Sequence, residues 1–275
     1  MRNLEPALTS LANPRVKGWA KLSERKHREK EGRFKLEGVH LVSEALASGW
    51  PLECVVFEEG MEIPEELLAY ADNQPSSSSA PSWIPVSPDI IAKCVETETP
   101  QPVFAVAYRK PVDREALFAE GAGPVVVLDG VQDPGNVGTI VRSAAASGAS
   151  AVVLGKGTAD LYNAKTLRST MGTLFYLPVL EADLTELLPE ARRYGKTLYG
   201  TSLQATKSCY EVELGRDAWL LFGNEGSGLS PKVEELVDRP IIIPMTGKAE
   251  SLNVAMAATV LLFEAQRQRM AYINR

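Results

Sequence analysis

From Pro124 onward, short, largely apolar runs alternate with stretches of helical periodicity, and this alternation constrains the fold more than any other feature. The apolar runs are 125–130, 151–155, 174–180, 197–203, 218–223 and 241–244. Between and after them, 136–149, 164–171, 185–195, 230–237 and 251–270 carry helical patterns. Strand and helix in strict turn predict an α/β domain built on a mostly parallel sheet with helices on both faces.

The 275 residues suggest two domains. The N-terminal part has a less regular grammar. Residues 1–35 read as polar helix, with a turn at Asn13-Pro14 and Val16, Trp19, Ala20 and Leu22 at helical spacing. A short strand over Phe34–Glu37 leads into a helix ending near Gly49, and 52–57 form a compact β-rich run. Helices are expected over 61–71, with Pro64 in the first turn, and over 87–97, followed by a strand over 102–108. The Ser/Pro-rich stretch 73–82 lacks the apolar side chains to order itself and reads as a mobile loop. The expected organisation is a smaller α/β domain over 1–110, a linker over 111–123 and the alternating domain over 124–275.

Net charge is −6, yet nine Lys/Arg face three Glu between Arg15 and Lys35. A basic N-terminal face on an acidic body suits a polyanion, although a solvated amphipathic helix has the same composition. Three well-separated cysteines show no metal or disulfide spacing and imply reduced thiols in a cytoplasmic protein. The N-terminus has no apolar signal region, and the longest apolar run, 254–263, falls short of the roughly 20 residues a membrane helix needs. With only His27 and His40 present, neither a His-ligated metal nor a Ser-His-Asp triad is expected.

Three loops at strand ends hold the chemistry-bearing residues. In the first, Gly130–Gly135 has the span of a phosphate-binding loop, but Asn136 stands where its lysine is required, so nucleoside triphosphate hydrolysis loses its main support. Asn136 is placed to cap the following helix, and Arg142 sits six residues on among small neighbours that permit close approach of a phosphate or carboxylate. In the second, 223–230, three glycines surround Glu225, and Ser230-Pro231 opens a helix. In the third, 245–253, Ser251 or Asn253 caps the last helix and offers a side-chain oxygen to a ligand.

Together these stretches resemble the SpoU, or TrmH, family of RNA ribose methyltransferases: N-x5-R at Asn136 and Arg142, GNEGSGLS at 223–230, IPM at 243–245 and SLNVAMA at 251–257. NPRVK at 13–17 and FKLEGVHLVSEAL at 34–46 are similar, more loosely, to that family's L30e-like substrate-binding domain. The resemblance implies a SPOUT α/β trefoil-knot domain, a homodimer with sites at the interface, and S-adenosyl-L-methionine as methyl donor to a ribose 2′-hydroxyl. Structured RNA is the implied substrate, 23S ribosomal RNA in preference to transfer RNA.

Carried onto this chain, Arg142 acts on the ribose, with Asn136, Glu225, Ser251 and Asn253 completing the catalytic set. Leu221, Phe222, Gly223, Asn224, Gly228, Ile243, Met245, Ser251 and Leu252 form the cofactor cradle. Arg15, Lys17, Arg25, Lys26, Arg28, Arg33 and Arg168 are expected to face RNA. No metal and no membrane partner is implied. Two other readings stand beside this one: a catalytically inactive RNA-binding homologue, and an α/β transferase that does not act on RNA.

Overall fold

The computed structural model describes residues 4–72, 80–97, 99–121, 123–215, 217–248 and 251–273. Most of the Ser/Pro-rich loop expected over 73–82 lies outside them. The chain divides into two compact units, Met1–Pro111 with Tyr162–Phe175, and Val112–Leu161 with Tyr176–Arg275.

The first unit runs α1 (Pro14–Lys21), α2 (Arg25–Glu31), β1 (Arg33–Glu37), α3 (Val39–Ala47), β2 (Leu52–Glu58), α4 (Glu65–Asp72), β3 (Ser82–Val86), α5 (Pro88–Cys94) and β4 (Val103–Tyr108). Its mixed four-stranded sheet has the order β1-β4-β2-β3. The single polar helix expected over 1–35 is instead two short helices and the start of a strand. Asn13 caps α1 by accepting from Arg15 N, and Gly32, left-handed at φ 64°, ends α2. Strand β3 was hidden by the low-complexity stretch before it. Trp19, Phe104, Ile84 and Val56 meet in the core, where the Cys54 and Cys94 thiols are pushed up to about 12 and about 11 by burial. Such thiols are inert packing groups rather than nucleophiles.

The second unit begins with a 3-10 helix, Glu115–Phe118, in the stretch expected to be a linker. Leu117 and Phe118 are buried in this unit's core, and Phe118 stacks on Trp219 at 5.9 Å between ring centres. There follow β5 (Val125–Asp129), α6 (Pro134–Ala146) and β6 (Ala151–Leu154), then α7 (Ala164–Thr170), which clusters with the first unit. After it come β7 (Val179–Glu181), α8 (Leu184–Arg193), β8 (Thr197–Thr201), β9 (Ala218–Gly223), α9 (Pro231–Glu234), β10 (Arg239–Ile241) and α10 (Val254–Ile273). The six-stranded sheet, in order β10-β8-β9-β5-β6-β7, is parallel throughout.

Of the strand expected over 174–180 only the end, Val179 and Leu180, is strand. Thr173–Phe175 form a 3-10 turn, Pro178 has no N–H to give to a ladder, and pairing with β6 starts only at Val179. An apolar run alone does not distinguish a strand from a buried turn. Likewise the expected helix over 230–237 is a single turn, and β10 begins before its apolar residues.

A parallel sheet sends all its strand C-termini to one edge. Register places Asp129 beside Gly223 and Thr201 beside Ile241. The loops following β5, β8, β9 and β10 therefore emerge together, although more than a hundred residues separate the first from the last.

Candidate active site

The loops after β5 and β9 are fastened by one carboxylate. Glu225 accepts from Gln132 N at 3.1 Å, Asp133 N at 3.2 Å and Asn136 Nδ2 at 2.9 Å. Desolvation opposes its ionisation, but the hydrogen bonds from Asn136 and the backbone outweigh it and hold the carboxyl below the usual glutamate range. A carboxylate so occupied is a weak proton acceptor near neutral pH. Its role is to hold the two loops in register.

Asn136 extends the link to the third loop: its Oδ1 accepts from Asn253 Nδ2 at 3.0 Å. Asn253 Oδ1 in turn accepts from Ala255 N at 2.9 Å, so Asn253 rather than Ser251 caps α10. Asn136 was expected to cap α6. That role falls to Asp133, whose Oδ1 accepts from Asn136 N at 2.9 Å. Pro134 at the first helical position fits this start, and the Asn136 side chain is thereby released to join Glu225 to Asn253.

The second loop also ties itself. Asn224 Oδ1 accepts from Gly226 N and Ser227 N, and Asn224 Nδ2 donates to Gly130 O at 2.9 Å. Gly223 can only be glycine: a Cβ there would sit 2.0 Å from Gly228 C and 2.2 Å from Leu229 N. Ser230 N donates to Asp129 Oδ2 at 2.7 Å, fixing the loop's far end.

The loops after β8, β9 and β10 enclose a cleft of about 480 Å³. Phe222, Gly223, Asn224, Gly228, Ile243, Met245, Ser251 and Leu252 line it, as do the catalytic candidates Glu225 and Asn253. Leu221 does not: its side chain is fully buried in the core beneath. Thr201, Ser202 and Leu203 at the end of β8, and Ile241 and Ile242, line the cleft without having been singled out by sequence. The break of the 197–203 run at Thr201-Ser202 was the available signal.

The lining suits a flat, partly apolar ligand with acceptor atoms at its edge. Phe222, Ile241, Ile243 and Leu252 give apolar walls, and among the described residues the backbone N–H groups of Ile243, Met245 and Leu252 have no partner. Free backbone donors between apolar walls are what a heterocycle's edge and faces need.

Arg142 stands apart from this arrangement. It is exposed on α6, lines no part of the cleft, and makes no hydrogen bond or ion pair among the described residues. Helix α6 packs on α10, where Ser143 Oγ and Thr259 Oγ1 lie 2.7 Å apart. Beside this contact α10 leaves Met256, Phe263 and Met270, spaced at sevens along one stripe, exposed.

The basic face of the first unit differs from its expected form, because its arginines are engaged. Arg15 pairs with Glu5 at 2.5 Å, Arg25 with Glu29 at 2.6 Å, Arg33 with Glu31 and Glu53, and Arg168 with Glu37 at 2.9 Å. Arg28 is a correction: only 5% exposed, it donates to the carbonyls of Leu22 and Ser23 and serves the fold. Within 15–35, the cations left exposed and without an ion pair among the described residues are Lys17, Lys21, Lys26 and Lys30. Lys21 and Lys30 were not among the candidates.

Comparison with known proteins gives this geometry a context. The family model described as the SpoU rRNA Methylase family matches residues 123–263, and that of an MRM3-like substrate binding domain matches 13–105. The chain is 38% identical, over 93% of its length and 97% of the relative's, to the 23S rRNA (guanosine(2553)-2'-O)-methyltransferase RlmP of Bacillus subtilis. Among solved structures, the SpoU methyltransferase AviRb of Streptomyces viridochromogenes in complex with AdoMet superposes with a TM-score of 0.84 at 32% identity, covering 94% of this chain and 99% of that one. An AdoMet-bound rRNA methyltransferase from Sinorhizobium meliloti gives 0.83 at 31% identity, with 96% and 98% covered.

Proposed function

The chain belongs to the SpoU rRNA methylase family, and on that premise we propose that it methylates a ribose 2′-hydroxyl of structured RNA, 23S ribosomal RNA foremost, with S-adenosyl-L-methionine as donor. The observation that carries the reading is the joined set Glu225–Asn136–Asn253, of which Glu225 and Asn253 line a cleft with apolar walls and backbone donors unpaired among the described residues.

The bound donor supplies a methyl group on a sulfonium, which needs no metal and no covalent enzyme intermediate. The protein's contribution is positioning and charge complementarity. Phe222, Ile243, Met245 and Leu252 hold the donor, and Gly223 lets the backbone close around it. Asn136, clamped by Glu225 on one side and Asn253 on the other, presents a fixed amide to the incoming nucleotide. Arg142, a permanently charged fork of donors unpaired among the described residues, binds the ribose-phosphate and stabilises the charge developing on the 2′-oxygen as its proton passes to water.

Arg142 does not reach the cleft of its own chain. We therefore assign the working unit to a homodimer that covers the Met256–Phe263–Met270 stripe and brings Arg142 to a cleft at the interface. The knotted threading of the C-terminal segment belongs with the same reading. A cytoplasmic location is supported by the three buried, unpaired cysteines.

The test is transfer of labelled methyl from S-adenosyl-L-methionine to ribosomal RNA from cells lacking the protein, followed by nucleoside mass analysis. A 2′-O-methylated nucleoside is expected. No transfer to either ribosomal or transfer RNA, with binding of the donor intact, would leave only a non-catalytic role.

A further inference from the structure

The first unit holds a second cleft, of about 260 Å³, between the end of β1, the start of α3, the 95–101 segment and α7. Its walls are of two kinds. Leu41, Val95 and Met171 are apolar, whereas Glu37, Gln101 and Arg168 are polar. Both oxygens of Glu37 are held: Oε1 accepts from Glu96 N at 3.0 Å, and Oε2 accepts from Arg168 Nη1 at 2.9 Å. Gln101 Oε1 accepts from Val39 N at 2.8 Å, and its Nε2 has no partner among the described residues.

Two features point to an occupant. The guanidinium is neutralised by Glu37, so the cleft offers no net positive charge to a phosphate, yet it retains N–H donors on Arg168 and Gln101 beside carboxylate acceptors. Such an edge matches a neutral planar ring bearing both donors and acceptors. Met171, meanwhile, is held in the left-handed region at φ 51° while 44% exposed on the cleft wall. That conformation caps the C-terminus of α7, with Met171 N donating to Arg168 O, and leaves a polarisable, exposed thioether side chain among the cleft's lining. The volume falls just below the roughly 300–1,000 Å³ of whole-ligand pockets and suits one base rather than a whole nucleotide.

We propose that this cleft receives an unpaired base of the substrate RNA, its edge read by Glu37, Arg168 and Gln101 and its face resting on Met171. The proposal rests on the RNA methyltransferase reading. It assigns to the first unit a specific base contact beyond the phosphate contacts of the exposed lysines.

The experiment uses the full chain with 13C-methyl methionine, the Met171 signal being assigned by its loss in Met171→Leu. Guanosine, adenosine, cytidine, uridine and inorganic phosphate are added in turn. A base resting on the thioether moves the Met171 methyl upfield by ring current, so nucleosides are expected to shift it and phosphate is not. A Met171 signal that no nucleoside moves, or that phosphate moves equally, overturns the proposal. In parallel, Gln101→Ala and Met171→Ala are expected to raise KM for ribosomal RNA about tenfold while leaving kcat and donor affinity unchanged. Unchanged KM in both variants, with the wild type active, rejects the base cleft while leaving the methyltransferase assignment standing. Wild type that transfers no methyl rejects that assignment, and this proposal with it.

Discussion

Asn136 and Glu225 lie 89 residues apart and are joined by a 2.9 Å hydrogen bond from the Asn136 amide to the Glu225 carboxylate. Neighbouring parallel strands β5 and β9 make the meeting possible, because each delivers its following loop to the same sheet edge. The bond turns two separate loops into one rigid rim. Its consequences can be measured.

Glu225→Gln replaces an acceptor of three N–H groups by an amide whose NH₂ must face at least one of them. Methyl transfer is expected to fall at least tenfold and the protein to melt at lower temperature. The sign with pH follows from the lowered carboxyl. Its stabilisation is complete above the ordinary glutamate pKa and is lost as pH falls through the lower folded value. The gap in Tm between wild type and variant should therefore be full at neutral pH and close in acid. A gap that widens on acidification would contradict this role.

Arg142→Ala removes the unpartnered guanidinium next to the α6–α10 contact. Loss of one charge-stabilising donor typically costs about 10²–10³ in turnover. Single-turnover methyl transfer should fall by that order, with donor affinity by calorimetry unchanged within a factor of about two. If donor binding collapses instead, Arg142 belongs to the cofactor cradle.

Gly223→Ala places a methyl 2.0 Å from the Gly228 backbone. Overpacking of this kind costs typically about 1–3 kcal/mol, and here the obstacle is backbone that cannot rotate aside. Weaker donor binding with the first unit's structure intact is the expected outcome, read by calorimetry and amide spectra. Wild-type donor affinity would show that the rim opens without loss.

Arg28→Met tests whether the helical basic segment is all nucleic-acid surface. The variant leaves the carbonyls of Leu22 and Ser23 without the guanidinium, at a cost on the order of 2 kcal/mol or more. The urea midpoint should drop while RNA affinity of the folded protein stays put. Lys17→Ala with Lys26→Ala should do the opposite, lowering affinity and its salt slope at unchanged stability.

Much of this was legible in the chain. The alternation from Pro124 announced the parallel sheet, and Gly223, Asn224, Glu225 and Asn253 were marked as site residues by lying where apolar runs break into small, polar loops. The errors share one cause. Leu174, Phe175, Leu177 and Val179 are apolar because they are buried, whatever the backbone does. Arg28 counts as a charge in composition but spends its donors on carbonyls. Asn136 has the composition of a cap, yet Asp133 three residues earlier takes that place.

By itself, then, the sequence determined the alternation of strand and helix in the second unit, which loops carry polar groups and which family the motifs resemble, since periodicity and local residue chemistry act within a few positions. Only the tertiary structure decided what each polar group binds. Register set Asp129 against Gly223 and so brought Glu225 to Asn136; packing brought Asn136 to Asn253, left Arg142 exposed and unpaired among the described residues, and placed α7 with the first unit. A hydrogen bond depends on positions in space, and those are fixed by the packing of the whole sheet, which no local stretch of sequence contains.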